Sequence, residues 1–376
     1  MQAVESARLS LNDFRVRSGF AGAQSRRKDV AEAIATVFWF FTLQHKTGCR
    51  TAYALERLFE PSGLRSNAAG ERFHSSKWAR YRAGLTRPRS VLPAVENKCH
   101  GANACLGSPL WPALTARLLK RPQLEALLLR LEPSIRSLVS RRTSATGGGR
   151  STTDDVDNGL AGALERLASL DALAAMVVLL RLAHANGRTA EAFQWGRHVL
   201  RMMLLMGALL RHRGVAQMLF DLLEERVMPM AQHEGLQPGF PAGSYLDLWR
   251  LYADALWRVN SRRPDKDTVD PQHFLGQRLL DDRYGYDYFH ALNPMRMLAD
   301  TSVAPASQQL FLKEDAWLFI WGQNMLSVGG HRYPPVPAVM EGRDLWATRQ
   351  GDVFSPAERA AAPFVAGQLP WKLTLC

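Results

Sequence analysis

The sequence is poor in cysteine and has no apolar run long enough to cross a bilayer. Only four of its 376 residues are cysteine, too few for a disulfide framework, which indicates a reducing compartment. The most apolar runs are 31–43, 173–182 and 200–210, and all are shorter than the roughly 20 residues of a transmembrane helix. The N-terminus also lacks the pattern of a secretory signal. We therefore expect a cytoplasmic protein that does not contact membranes.

Strong catalytic and cofactor motifs are missing as well. The sequence contains no G-x-x-x-x-G-K-[ST], no G-x-G-x-x-G after a strand, no H-E-x-x-H and no G-x-S-x-G. It therefore predicts no cofactor and does not indicate an enzyme. A buried histidine or cysteine with a charged partner in a pocket would restore the enzyme hypothesis.

The one group of side chains that resembles a metal site is incomplete. Cys99, His100 and Cys105 supply three ligands, whereas a structural zinc site needs four. His74 or Cys49 would have to complete the site. The alternative is that these are ordinary loop and core residues, and we predict no metal.

The excess of basic over acidic residues is confined to the N-terminal part of the chain. Residues 1–150 contain 25 Lys and Arg against 10 Asp and Glu, whereas residues 151–376 contain 22 against 25. This asymmetry suggests a polyanion-binding module joined to a neutral one. The alternative is an arginine-rich composition caused by a GC-rich genome, but that bias should affect both parts equally.

Hydrophobic periodicity predicts an all-α protein. Residues 29–44 have apolar side chains at helical spacing, and residues 51–60 form a second amphipathic pattern. Residues 1–25 show no sustained period and are expected to be a poorly ordered lead-in.

The segment 74–96 indicates two short helices, 75–83 and 89–97, with Gly84 ending the first and Pro88 opening the second. Trp78 and Tyr81 share one face of the first helix, and we expect them to anchor it to the core. The basic side chains of this segment are candidates for contacting phosphates or guanine edges of double-stranded DNA. They are Lys77, Arg80, Arg82, Arg87 and Arg89.

Two resemblances involve this segment. The order of helix 51–60, helix 75–83, Gly84 and Pro88 resembles the helix-turn-helix of phage-repressor-type regulators, in which the second helix enters the major groove, although the connection here exceeds the usual four residues. The series AYALE, KWxRYxxGxxxP and PLW within 51–115 is similar to a family of uncharacterised bacterial proteins, and that resemblance implies no catalytic role.

A Ser-, Thr- and Gly-rich stretch at 141–159 is typical of a linker. We therefore predict a basic helix-turn-helix-like domain at 26–140 and a helical bundle domain at 160–376. The bundle pattern gives helices at 160–185, 189–212, 215–232, 245–259, 272–282 and 313–326, followed by an extended Pro-rich tail from 329.

Three histidines recur along the predicted bundle. His184, His198 and His212 are 14 residues apart, and two of them would meet Glu224 or Glu225 if the helices align. The alternative is that each is an ordinary surface or hydrogen-bonded core histidine.

The sequence thus predicts a DNA-binding protein, in transcription control or in mobile-element or phage biology, that uses a basic helix near residues 75–89. The alternative is a protein-interaction scaffold that forms homo-oligomers or binds a protein partner through its C-terminal helices and has no nucleic-acid role. An enzyme is the third hypothesis.

Overall fold

The chain is mainly helical in the part that the structure describes. The computed structural model describes residues 2–18, 29–61, 65–66, 72–73, 76–145, 158–234, 236–239, 245–261, 272–281, 292 and 295–297. Within these ranges α-helices predominate and the strands form only two short antiparallel pairs, which confirms the all-α class. None of these helices has the length and apolar character that crossing a membrane requires. The predicted helix 313–326 and the Pro-rich tail lie outside the described residues.

Short helices make up most of the N-terminal part of the chain. Its elements are α1 (Gln2–Ala7), α2 (Leu11–Arg17), α3 (Val30–Thr47), α4 (Ala52–Phe59), β1 (Arg65–Ser66), β2 (Arg72–Phe73), α5 (Lys77–Arg82), α6 (Leu92–Lys98), α7 (Ala104–Gly107), α8 (Leu110–Ala113), α9 (Arg121–Leu129) and α10 (Pro133–Ala145).

Longer helices follow after residue 157. These elements are α11 (Asn158–Leu167), α12 (Leu170–Ala185), α13 (Thr189–Leu205), α14 (Gly207–His212), α15 (Ala216–Arg226), a 3₁₀ turn (Met228–Ala231), β3 (Leu236–Pro238), α16 (Tyr245–Ser261), α17 (Gln272–Leu280) and β4 (Met295–Met297).

The chain folds into two compact units that are interleaved in sequence. The first unit contains the described residues up to Ala145 together with Ser169–Val178 and Met206–Val227, and the second contains the others. The first boundary lies within the predicted linker, although α10 continues to Ala145 and makes the start of that stretch helical. Because later segments join the first unit, the units do not match the sequential domains 26–140 and 160–376, and that division stays a prediction.

Helix α3 is the core of the first unit. Every residue from Val30 to Leu43 except Glu32 is buried, as expected for a helix that is apolar on all sides. The helix begins at Asp29, whose Oδ1 accepts from the backbone nitrogen of Ala31 at 2.9 Å, and ends at Gly48 with a φ of 71°. Helices α5, α7, α8 and α15 pack against it, so the predicted helix 29–44 is confirmed as a buried one.

The expectation of a poorly ordered lead-in at 1–25 is wrong for its described residues. Helix α2 begins at Ser10, whose Oγ accepts from the backbone nitrogen of Asp13 at 3.2 Å, and buries Leu11 and Phe14. Its Arg15 donates to both carboxylate oxygens of Glu225, at 2.7 and 2.6 Å. α2 packs against α15, and α1 against α14. Helices of six and seven residues are too short to show a sustained period. The segments that stabilise them lie about 200 residues away.

Two of the long helices predicted for the C-terminal part are each divided in two. The predicted helix 160–185 is broken at Ala168, which has a φ of 40°, and Ser169 begins α12 by accepting from the backbone nitrogen of Ala172 at 3.2 Å. The predicted helix 189–212 is broken at Met206. Gly187 and Gly214 lie in the turns that follow α12 and α14, and both have a positive φ.

The second unit is assembled around α13. Helices α11 and α17 pack against α13 and against each other, while α16 packs on α17. The strands β3 and β4 pair antiparallel, with Leu236 opposite Met297 and Pro238 opposite Met295. This arrangement places polar side chains of α11, α13 and α17 around one cavity.

Candidate functional site

The predicted basic helix is short and ends sharply. Helix α5 covers only Lys77–Arg82, so Arg87 and Arg89 lie in the connection that follows it, which corrects the predicted basic helix at 75–89. The backbone nitrogen of Leu85 donates to the carbonyl of Arg80 at 2.9 Å, and that of Gly84 donates to Tyr81 at 3.0 Å. This pair of bonds is a Schellman motif.

The next helix begins later than predicted. α6 covers Leu92–Lys98 rather than 89–97, and the proline in its first turn is Pro93, not Pro88. Proline is tolerated there because the first helical positions have no intrahelical acceptor for a backbone N–H.

Trp78 and Tyr81 are buried in an aromatic cluster. The ring of Trp78 stacks between those of Trp39 and Phe59, with centroid distances of 5.9 and 5.7 Å. Tyr81 meets the edges of Trp39 and Trp78 at 5.7 and 5.6 Å. Nε1 of Trp78 donates to Glu60 at 2.9 Å. Burial raises the pKa of Tyr81, and the cluster fixes α5 against α3 and α4.

Lys77 and Arg87 are paired with acids. Nζ of Lys77 lies 2.6 Å from Oε1 of Glu60 and donates to Ser90 at 3.1 Å. Burial opposes the charge of Lys77, but the hydrogen bond and negative charge of Glu60 outweigh it, so the pKa of Lys77 is raised. Arg87 lies 3.1 Å from Glu32.

Arg80, Arg82 and Arg89 are exposed. The segment 77–89 therefore displays these three guanidinium groups on a backbone whose position is set by the buried aromatic rings.

The helix pair differs in its connection from the repressor-type arrangement. α4 packs against α5, but the chain between them forms the hairpin β1–β2, with Arg65 opposite Phe73 and Ser66 opposite Arg72. The helix-turn-helix-like centre stays a prediction.

A second group of functional side chains lies in the second unit, around a cavity of about 300 Å³. Four lining residues come from one face of α13, at positions i, i+3, i+4 and i+7. They are Gln194, Arg197, His198 and Arg201. Helix α11 adds Gly162 and Glu165, and the C-terminal end of α17 adds Gln277 and Asp281.

Glu165 is almost completely buried and accepts four hydrogen bonds. Its Oε1 accepts from Nδ1 of His198 and Nε of Arg201, both at 2.8 Å. Its Oε2 accepts from Nη2 of Arg201 at 3.1 Å and from Gln277 at 3.2 Å. Burial by itself would raise the pKa of Glu165, but the hydrogen bond from His198 and the charge and hydrogen bonds of Arg201 lower it to about 2.

Arg201 has all three nitrogens engaged. Besides binding Glu165, it donates through Nη1 to the carbonyl of Leu280 at 2.8 Å and through Nη2 to Asp281. Burial opposes its charge, but the two carboxylates raise the pKa of Arg201. Glu165 and Arg201 therefore form a closed ion pair beneath the cavity.

His198 uses one of its two ring nitrogens to bind Glu165. An ionised carboxylate only accepts, so Nδ1 of His198 donates to Glu165 and carries a proton. Across the described ranges Nε2 of His198 has no hydrogen-bond partner. Of the three histidines singled out in the sequence, His198 alone lines this cavity, and its carboxylate partner is Glu165 rather than Glu224 or Glu225. His184 and His212 are exposed.

The cysteine cluster does not assemble into a site. Sγ of Cys105 donates to the carbonyl of Ala102 at 3.4 Å, and burial raises the pKa of the Cys105 thiol to about 11. His100 is exposed. In the part of the chain that the structure describes, no three His, Cys, Asp or Glu residues are arranged to hold a metal.

Sequence reasoning missed Glu165, Arg201 and Gln277. The spacing of polar residues at 194, 197, 198 and 201 on a helix with many apolar neighbours was the available signal for a polar face. Comparison of the chain with protein-family models, curated proteins and solved structures finds no significant match.

Proposed function

We propose that the protein binds double-stranded DNA through the segment 77–89. The observation that carries this proposal is the display of Arg80, Arg82 and Arg89 beside the buried anchors Trp78 and Tyr81. A fixed backbone lowers the entropy lost when exposed side chains bind phosphates. The excess of basic residues in positions 1–150 would add the long-range attraction to a polyanion.

The length of α5 favours phosphate contacts over base reading. A helix of six residues is only about 9 Å long and presents few side chains to a groove. Recognition helices of repressor-type proteins use several side chains along the major groove. We therefore propose DNA binding that depends little on the base sequence. Arg80, Arg82 and Arg89 would contact phosphates. Lys77 and Arg87, which are paired with acids, would contribute less.

The test is titration of a fluorescent duplex of mixed sequence with the full chain at several salt concentrations. In R80A/R82A/R89A we expect the slope of log affinity against log salt to decrease by about 3, one for each lost phosphate contact. The matched control is R8A/R117A/R141A, which removes three exposed arginines from other segments of the first unit. Equal slopes for the wild type and the first variant would refute the proposal.

The rival function is a protein-interaction scaffold, and one exposed aromatic residue favours it. The side chain of Trp257 on α16 is 70% exposed, and tryptophan is enriched where proteins bind one another. Light scattering of the wild type and W257A over a range of concentrations tests this function. Self-association that W257A abolishes, together with no DNA binding at low salt, would favour the scaffold.

A further inference from the structure

We infer that a second cavity, which lies within the first unit, binds a small monocarboxylate that has an apolar body. This cavity has a volume of about 220 Å³. Helices α3, α7 and α8 contribute to its lining, together with Arg87 from the connection after α5 and Arg130 at the C-terminal end of α9. We call it the α8 cavity. The inference does not rest on the proposed DNA binding.

Two guanidinium groups of the α8 cavity have nitrogens left for a ligand. Arg87 donates through Nη1 to Glu32 at 3.1 Å, and Arg130 donates through Nη2 to the carbonyl of Gly107 at 3.2 Å. Within the described ranges the other nitrogens of these two side chains make no hydrogen bond. A guanidinium has five N–H donors in a planar fork that matches the geometry of a carboxylate. Both arginines can therefore donate to an anion without giving up their present partners.

The charge of the lining favours a monoanion. Arg87, Arg130 and Glu32 are its charged residues, two cations and one anion, so the net formal charge is +1. Asp171 lies behind the lining residue Ser108, and its two oxygens accept from the Ser108 hydroxyl at 2.8 Å and from a backbone nitrogen at 2.9 Å. A carboxylate balances the lining charge, whereas a dianion would leave a negative charge facing Glu32.

The remaining wall of the α8 cavity is mainly apolar. Trp111, Leu106, Pro112 and Ala35 form it. The Trp111 ring is almost completely buried, and its Nε1 donates to a backbone carbonyl at 2.6 Å. A fixed apolar wall with a few polar groups at one side is the usual composition of a small-molecule site.

The volume limits the size of the ligand. Sites for drug-sized ligands measure about 300–1,000 Å³, and the α8 cavity is smaller than these. A single ring that carries one carboxylate is a ligand of suitable size and chemistry. Its ring would pack on the apolar wall while its carboxylate accepts from Arg87 and Arg130.

Glu32 competes with such a ligand for Arg87. Its carboxylate lies in the same lining and carries the same charge as the ligand. E32Q removes this charge and should therefore strengthen anion binding. R130Q removes a charged donor and should weaken it. R87Q should weaken it further, because Glu32 then repels the ligand without a counter-charge.

The experiment is calorimetric titration of the full chain with benzoate at constant ionic strength. Acetate has the same charge without the ring, and benzyl alcohol has the ring without the charge. We expect saturable binding of benzoate and binding of acetate that is weaker by about tenfold or more, because acetate buries little apolar surface. Benzyl alcohol should give no saturable heat.

Four variants test the assignment of the side chains. R130Q should weaken benzoate binding about tenfold, R87Q should weaken it more, and E32Q should strengthen it. The matched control is R117Q, which removes an exposed arginine of the same unit that does not line the cavity. Its affinity for benzoate should equal that of the wild type.

The inference is wrong if benzoate gives no saturable heat, or if acetate or benzyl alcohol binds as tightly as benzoate does. It is also wrong if R130Q binds like R117Q, or if E32Q weakens binding. Thermal unfolding of each variant without ligand shows whether it is folded. Glu32 and Arg130 are exposed, so if R87Q does not fold, the opposite effects of E32Q and R130Q decide the outcome.

Discussion

Nε1 of Trp78 donates to Oε2 of Glu60 at 2.9 Å. The other oxygen of this carboxylate binds Nζ of Lys77 at 2.6 Å. One acid therefore satisfies a buried indole and neutralises a cation in the proposed DNA-binding segment.

Two substitutions of Glu60 should separate these roles. E60Q retains an oxygen that can accept from Trp78 but removes the charge that pairs with Lys77 and repels phosphates. We expect E60Q to bind DNA more tightly than the wild type, with little loss of stability. E60A leaves the indole N–H without an acceptor and should cost about 1–3 kcal/mol. Urea unfolding and duplex titration measure both effects, and weaker DNA binding by E60Q would contradict the assignment.

The stability of the first unit should depend on the Trp78 ring rather than on the neighbouring arginines. W78A removes a ring that is fully buried and should reduce the free energy of unfolding by about 3–5 kcal/mol. W257A removes an exposed ring and is the matched control. R80A/R82A should change the free energy of unfolding by about 0.5 kcal/mol or less. Chemical denaturation of the three variants tests this order, and a small effect of W78A would show that the cluster does not hold α5.

Features that depend on local sequence could be predicted. The apolar pattern of α3, the shared face of Trp78 and Tyr81 and the glycine that ends α5 all follow from helical spacing or backbone conformation. Each of these involves residues that are close in sequence. The structure confirms α3 and the turn, and it shows both rings buried.

Features that depend on distant partners could not be predicted. Asp29 begins α3, but its Oδ1 also accepts from Arg226, which is 197 positions away. Nothing in the local pattern of α2 shows that Arg15 will bind Glu225. Glu165 has the spacing of an ordinary polar residue on an amphipathic helix, and its burial depends on Arg201 and His198 from another helix. Burial of a charge is a property of the assembled packing, which periodicity does not encode.

Gly84 should tolerate alanine less well than Gly48 does. Both have a φ of 71°, which costs a residue with a Cβ about 1–2 kcal/mol. A Cβ at Gly84 would also lie 2.9 Å from Cζ of Phe14 and 3.0 Å from the carbonyl oxygen of Ala33, whereas a Cβ at Gly48 would meet nothing within 4 Å. We expect G84A to lower the melting temperature further than G48A. Equal losses would show that Phe14 moves aside without cost.

The ion pair of Glu165 and Arg201 should make the free energy of unfolding depend on pH in the acid range. The pKa of Glu165 is lowered from its ordinary value of 4.5 to about 2 in the folded chain, which corresponds to about 3 kcal/mol of stability at neutral pH. Because the folded value is the lower one, this stability is fully present above about pH 5. It is lost as the pH falls toward 2.

E165Q should remove this dependence. At pH 7 it leaves Arg201 without its main counter-charge and should destabilise the protein by about 3–5 kcal/mol. As the pH falls, the wild-type carboxyl takes up a proton and becomes equivalent to the amide, so the two unfolding free energies should converge. Urea unfolding between pH 3 and pH 7 measures the difference in unfolding free energy between the wild type and E165Q. The control is D254N, which replaces an exposed carboxylate of α16. If this difference in unfolding free energy is constant over the range, Glu165 is not an ionised partner of Arg201 in the folded protein.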